Sequence, residues 1–296
     1  MSTNQPWTFR DDRGQEVAAP RPPRRLVAYT QAAAVLRECG VATTAVFGSP
    51  HDEHGPGETA PALADVPGVP YLGAGKALTA AALTRAEPEL LVSVTYDGER
   101  VYGIDSALAA ELPTTVPLLA LGVGPGTSLT AVRDRFAELA RALGAAPDTT
   151  ADPGAASLAR GLERLRAAAR AKPRPRVLAC SPAGPDRAHL ARPQGWPLLR
   201  ELAGAGVDLL DLPSAPGPSW ATADWEELAA LEPDIVLRDV RPSATSDAEL
   251  AAVPGWRRIG DRATVLPWNP ELPFTARAIG GFLDTVTDAV TRHAAP

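Results

Sequence analysis

Asp152-Pro-Gly-Ala-Ala-Ser-Leu-Ala-Arg-Gly-Leu-Glu-Arg-Leu-Arg-Ala-Ala-Ala-Arg-Ala-Lys172, followed by Pro173-Arg-Pro-Arg-Val-Leu-Ala-Cys180, is the stretch on which the fold turns. Leu158, Leu162 and Leu165 recur at spacings of four and three, which predicts a helix with one apolar face. At 1.5 Å per residue, about 20 residues reach roughly 30 Å, enough to run between two lobes. Pro173 and Pro175 end the helix, and Arg176–Cys180 opens a new apolar, β-rich run.

On either side of this helix, short β-rich runs alternate with helical segments, the pattern of parallel sheets flanked by helices. Before it the runs are 25–29, 43–47, 90–94 and 116–121; after it they are 176–180, 207–211, 234–238 and 264–267. Leu129, Val132, Phe136, Leu139 and Leu143 mark a further amphipathic helix, which Gly144 stops. The expected division is an N-terminal lobe over 1–148, an inter-lobe helix over 149–172 and a C-terminal lobe over 173–296.

The 296 residues suit two such lobes, and 45% hydrophobic with 22% charged residues is a globular composition. The net charge of −6 and the lack of a basic stripe argue against nucleic acid as a partner. Lysine occurs only at Lys76 and Lys172, so arginine carries nearly all the positive charge. Cys39 and Cys180 stand far apart, outside any paired cysteine motif, so neither a disulfide framework nor structural zinc is expected. No run of about eighteen apolar residues suggests membrane insertion. The first residues carry no secretion signal, which gives a cytoplasmic protein as written, or a cell-envelope protein if an upstream signal is missing.

With the segments in order, the chain resembles the iron-siderophore and cobalamin solute-binding proteins of ABC transporters, from Trp7 to about Val290. Phe9-Arg-Asp-Asp-Arg-Gly14 and Pro23-Arg-Arg-Leu-Val27 resemble that family's first hairpin and strand. Ala33-Val-Leu-Arg-Glu-Cys-Gly40 is similar to its first helix. Glu87-Pro-Glu-Leu-Leu-Val92 resembles its proline-acid-aliphatic strand entry, which returns as Glu232-Pro-Asp-Ile-Val236. Pro254-Gly-Trp-Arg-Arg258 and Val265-Leu-Pro-Trp268 complete the pattern. The resemblance implies an α/β fold of two Rossmann-like lobes with mostly parallel sheets, joined by one long backbone helix. It further implies a ligand held between the lobes by loops beyond the strand carboxyl ends. The family docks its permease through a glutamate on a helix of each lobe. The matching positions here are Glu226, which keeps the carboxylate, and Ala81, which does not.

The candidate ligand contacts are strand-end residues. Tyr29 closes the first strand, and His51 follows the second in Gly48-Ser-Pro-His-Asp-Glu-His54, a loop that reads as a polar rim or as a transition-metal site. Tyr96, in Thr95-Tyr-Asp-Gly98, offers a flat apolar face with a phenolic donor. Arg238 and Arg241 flank the exit of the strand over 234–238. Arg241 matches an arginine of the family and would offer a fork of donors to anionic oxygens of an iron chelate. The other reading of Arg241 is an ion pair with Asp239. Trp268 stands just past the last strand. Gly122-Val-Gly-Pro-Gly126 opens a helix but departs from the dinucleotide fingerprint, so a structural turn is expected.

The resulting expectation is a non-catalytic binder of a bulky metabolite, foremost a ferric siderophore. Metal enters only as part of the chelate, no intrinsic cofactor is expected, and an ABC permease is the further partner that Ala81 puts in question. The alternatives are an intracellular biosynthetic or tailoring enzyme on the same fold, and an exported importer receptor whose signal is absent. No convergent acid-base or nucleophile set favours the enzyme.

Overall fold

The computed structural model describes residues 6–52, 65–112, 114, 116–146 and 154–294. The chain divides into two compact units. One takes in Met1–Gly124, Thr130–Pro153 and Pro273–Thr275, the other Pro125–Leu129, Gly154–Leu272 and Ala276–Pro296.

The first unit begins with an antiparallel hairpin, β1 (Trp7–Arg10) and β2 (Glu16–Ala19). Its turn explains the Asp-Asp-Arg motif. Buried Asp11 accepts the backbone N–H groups of Arg13 and Gln15 and also that of Ala120, while Asp12 accepts that of Gly122 at 2.7 Å. The hairpin is thereby fastened to a parallel four-stranded sheet of order β4-β3-β5-β6. Its strands are β3 (Leu26–Tyr29), β4 (Ala45–Phe47), β5 (Leu90–Thr95) and β6 (Leu118–Gly122). The first three are buried throughout, as apolar runs without alternation require when helices cover both faces. Helices α1 (Thr30–Glu38), α2 (Ala80–Arg85), α3 (Ser106–Glu111) and α4 (Leu129–Ala142) follow β3, precede β5, precede β6 and follow β6. Gly144, at φ +95°, ends α4 where the sequence places its stop.

In the second unit, α5 (Ala155–Ala169) is the helix on which the fold turns. It lies against the closing helix α10 (Ala276–Ala294), with Gly161 letting the Leu283 side chain approach and Arg164 paired to Asp284. The sheet has order β10-β8-β7-β11-β12. It is built from β7 (Arg176–Pro182), β8 (Arg187–Ala191), β9 (Asp208–Leu209), β10 (Trp220–Asp224), β11 (Ile235–Asp239) and β12 (Thr264–Trp268). Strands β7, β9, β11 and β12 are parallel, while β8 and β10 add an antiparallel extension at one edge. The run expected over 207–211 shrinks to the two residues of β9, which pair with the start of β7 before β8 takes over its end. The remaining helices are α6 (Pro197–Gly204), α7 (Trp225–Ala230), α8 (Asp247–Leu250) and α9 (Pro254–Gly260).

The two strand entries shared by the units are alike in detail. Thr79 and Asp224 cap α2 and α7 with their side chains. Glu87 and Glu232 then take left-handed backbone, φ +48° and +46°, directly before Pro88 and Pro233. That conformation costs a residue with a Cβ about 1–2 kcal/mol. Each is held by an N–H bond to the preceding turn, Glu87 to Thr84 and Glu232 to Ala229. One residue past each proline, Glu89 accepts the N–H groups of Arg24 and Arg25, and Asp234 accepts that of Arg176. The proline-acid-aliphatic motif is thus a clamp joining adjacent parallel strands at their starts.

Candidate functional site

Parallel sheets gather loops beyond the carboxyl ends of their strands; the first unit carries an aromatic cluster there, and the second carries one over a face of its sheet, beside the end of β12.

In the first unit, Tyr29 ends β3 and Phe47 ends β4, with ring centroids 6.1 Å apart. Tyr102 stands edge-on to Tyr29 at 5.4 Å and to Tyr96 at 5.0 Å. Its position is fixed from three sides. Its N–H bonds Val94, its carbonyl accepts the Ser93 hydroxyl at 2.6 Å, and its phenol shares a 3.1 Å bond with the Ser49 hydroxyl. Ser49 also accepts the N–H of His51. Tyr29 is only 1% exposed, so it backs the cluster, while Tyr96, Tyr102 and His51 are half-buried. Gly103, at φ +78°, lies where a Cβ would come within 2.9 Å of the Phe47 ring. Gly124 is equally constrained, since a Cβ there would overlap the Tyr96 carbonyl at 1.9 Å. This is why position 124 is a glycine: the turn after β6 must admit the Tyr96 loop.

That loop is rigidified by Asp97. Burial pushes its carboxyl up, but N–H bonds from Arg100 and Glu99 and the Arg100 guanidinium outweigh this and hold it well below the usual carboxylate range. Of the His-Asp-Glu-His loop, Glu53 and His54 lie outside the described residues.

In the second unit, Trp268 ends β12 opposite Asp239, which ends β11. Asp239 accepts the Ser181 hydroxyl at 2.7 Å, and Ser181 lies opposite His189 on β8, which lies opposite Thr222 on β10. A row of side chains therefore crosses one face of the sheet. Trp196, Trp220 and Trp268 meet over it, with centroids 4.9 to 6.1 Å apart, and His189 touches Trp220 at 6.3 Å. Trp268 is 2% exposed and, like Tyr29, backs its cluster; Trp220 is half-buried.

Arg241 has the geometry of an ion pair. Its Nε and Nη2 engage both oxygens of Asp239, and its Nη1 meets Glu271. Burial works against its charge, but the hydrogen bonds to Asp239 and the Glu271 carboxylate raise its pKa above the ordinary arginine value. Arg238 donates to the Thr245 carbonyl at 3.0 Å and pairs with Asp247 at 3.1 Å, holding the loop after β11. Both arginines are committed to the protein itself, and the pairing with Asp239 weighed from sequence is the one present. Cys39 and Cys180 are buried free thiols, and burial pushes Cys180 up to about 12.

Glu226 is exposed on the first turn of α7 and paired with Arg258; Ala81 is exposed at the corresponding position of α2. Sequence reasoning missed Tyr102 and Trp220 as members of the clusters. Their signals were the Val-Tyr-Gly triplet returning toward β5, and a tryptophan opening the alternating stretch 220–224.

No protein-family model matches the chain, and no curated protein matches it. Solved structures do. The ferric-siderophore receptor protein DesE from Streptomyces coelicolor is 27% identical, with a TM-score of 0.82 over 97% of this chain and 98% of its own. The periplasmic heme-binding protein RhuT from Roseiflexus sp. RS-1 is 20% identical, with a TM-score of 0.67 over 92% and 99%. A periplasmic heme-binding protein from Pseudomonas aeruginosa is also 20% identical, with a TM-score of 0.67 over 93% and 95%. Among the described residues no helix is long and apolar enough to cross a membrane. The cytoplasmic expectation finds no support in these neighbours, which are named as a receptor and as periplasmic proteins. The neighbours of this α/β chain are thus a ferric-siderophore receptor and periplasmic heme-binding proteins, matching the iron-siderophore solute-binding family that its sequence resembles.

Proposed function

We propose that this protein binds a ferric siderophore in the cell envelope and passes it on without altering it. The observation that carries the reading is the likeness to the ferric-siderophore receptor DesE along nearly the whole of both chains. The aromatic clusters support it. Tyr96, Tyr102 and His51 are half-buried rings of the first unit, Trp220 is one of the second, and each cluster by itself offers a face against which a bulky chelate packs. Tyr29, Trp268, Arg238 and Arg241 act from behind, fixing those rings and loops. Iron belongs to the cargo, and the protein supplies packing and hydrogen bonds around it. An ABC permease is the proposed recipient, met through the exposed face that carries Glu226.

Tryptophan fluorescence tests the reading, because Trp220 sits in the cluster. Titration with a ferric siderophore is expected to quench saturably with a dissociation constant of about 1 μM or tighter, and the iron-free form to bind far more weakly. Equal binding of both forms, or none, would refute it.

A further inference from the structure

Between β9 and β10 the chain runs Leu210-Asp-Leu-Pro-Ser-Ala-Pro-Gly-Pro-Ser219, with three prolines that have no N–H to donate. Leu210 is tied to β7 by its N–H, which bonds the Val177 carbonyl. From Asp211 to Ser219, among the described residues, every hydrogen bond to the rest of the unit comes from Arg192 or Trp196. Arg192, just past β8, donates from Nη1 to Asp211 at 3.0 Å, from Nη2 to the Ala215 carbonyl, and from its backbone N–H to the Ser219 carbonyl at 2.9 Å. The same Ser219 carbonyl accepts the Trp196 ring N–H at 3.0 Å. One acceptor, directly before Trp220, therefore serves both donors. The fit is close, since a Cβ on Gly195 would come within 2.5 Å of the Ser219 Cα. Gly217, at φ +104°, makes the turn into Trp220, and a Cβ there would come within 2.4 Å of the Trp220 carbonyl oxygen.

We propose that Arg192 is a positioning residue: its guanidinium clasps residues 210–219 into a strap, and the strap sets how Trp196 and Trp220 meet, edge to face with centroids 4.9 Å apart. Leu212 and Ala215 pack against the apolar core and draw the strap down, but apolar contact is not directional and fixes no orientation. Orientation comes from the guanidinium, whose planar fork reaches a carboxylate and a carbonyl four residues apart. The Arg192 side chain is 12% exposed and its Nε is buried without a hydrogen-bond partner, so the buried charge relies on these two acceptors. Charge-assisted bonds shielded from water are the strong ones. The consequence for binding rests on the siderophore reading: a loosened strap leaves Trp196 and Trp220 without a fixed face.

Hydrogen exchange read by mass spectrometry, near-ultraviolet circular dichroism, and calorimetric titration with ferrichrome, ferrioxamine B and ferric enterobactin test this on the full chain, at a temperature where every variant is folded. Arg192→Met keeps an apolar stem and removes the donors. It is expected to exchange the amides of Leu212, Ala215 and Gly217 about tenfold faster while β7 and β11 stay unchanged. Its tryptophan bands should change, and it should bind the tightest of the three probes about tenfold more weakly. Arg192→Lys keeps the charge but cannot meet Asp211 and Ala215 together, so it should fall between. Unchanged exchange in Arg192→Met would overturn the clasp. Faster exchange with native tryptophan bands and native affinity would make Arg192 structural only and overturn its positioning role. If the unaltered chain binds none of the three probes, the siderophore reading falls and the effect on affinity falls with it; exchange and the tryptophan bands then still decide the clasp.

Discussion

Arg241 grips Asp239 side-on, its Nη2 2.7 Å from Oδ2 and its Nε 3.1 and 3.0 Å from the two carboxylate oxygens. Asp239 is fully buried, so its charge depends on this partner and on the Ser181 hydroxyl. Arg241→Ala is therefore expected to destabilise the fold by about 3–5 kcal/mol, because it strands a buried carboxylate. Arg241→Lys should recover only part of that, lacking the planar fork. Thermal and denaturant unfolding measure it. Native stability with affinity lost would instead make Arg241 a direct ligand contact.

His189 supplies a pH dependence. Burial, and then the charge of Arg187, lower its pKa from the usual value of about 6.5. The unfolded chain therefore takes up a proton before the folded one does. Stability should be unaffected above that usual value and should fall as the pH drops below it, flattening only below the folded-state pKa. His189→Gln should remove this slope. Denaturant titrations at several pH values between about 5 and 7 provide the check.

Tyr96→Ala should weaken ferric-siderophore binding about tenfold, roughly 1.4 kcal/mol, by removing a half-buried ring from the proposed surface. Tyr102→Phe keeps the ring contacts and loses the bond to Ser49, so its cost is expected at about 0.5–1.5 kcal/mol. Comparing both variants by fluorescence titration separates the role of the face from that of the phenol.

Ala81 and Glu226 give a cellular prediction. With a carboxylate on one helix alone, the exported protein should support uptake of its chelate poorly, and Ala81→Glu should improve it. Growth on the chelate as sole iron source reads this out, and full rescue by the unaltered chain would make Ala81 irrelevant.

The parallel strands were legible because β3, β4, β5, β7 and β11 are short apolar runs bounded by turn residues. β8 and β10 were not, since Arg-Ala-His-Leu-Ala and Trp-Ala-Thr-Ala-Asp have few β-branched residues and take their strand character from pairing with β7 and with each other. The glycines at Gly122 and Gly124 could be excluded as a dinucleotide motif, but the cause of Gly124 lay in the Tyr96 carbonyl, remote in sequence. Tyr29 and Trp268 were correctly placed at strand ends, yet sequence position says nothing of burial, and both lie beneath their neighbours. Arg241 was readable as a charged strand-end residue. Its second partner, Glu271, comes from the segment after β12 and became visible only once the chain was folded.

Native mass spectrometry in an equimolar mixture of a ferric siderophore and its iron-free form tests the central claim most directly. The account predicts one adduct per chain, with the ferric form, released at its original mass. An adduct with the iron-free form alone, no adduct at tens of micromolar chelate, or a released chelate of altered mass would contradict it.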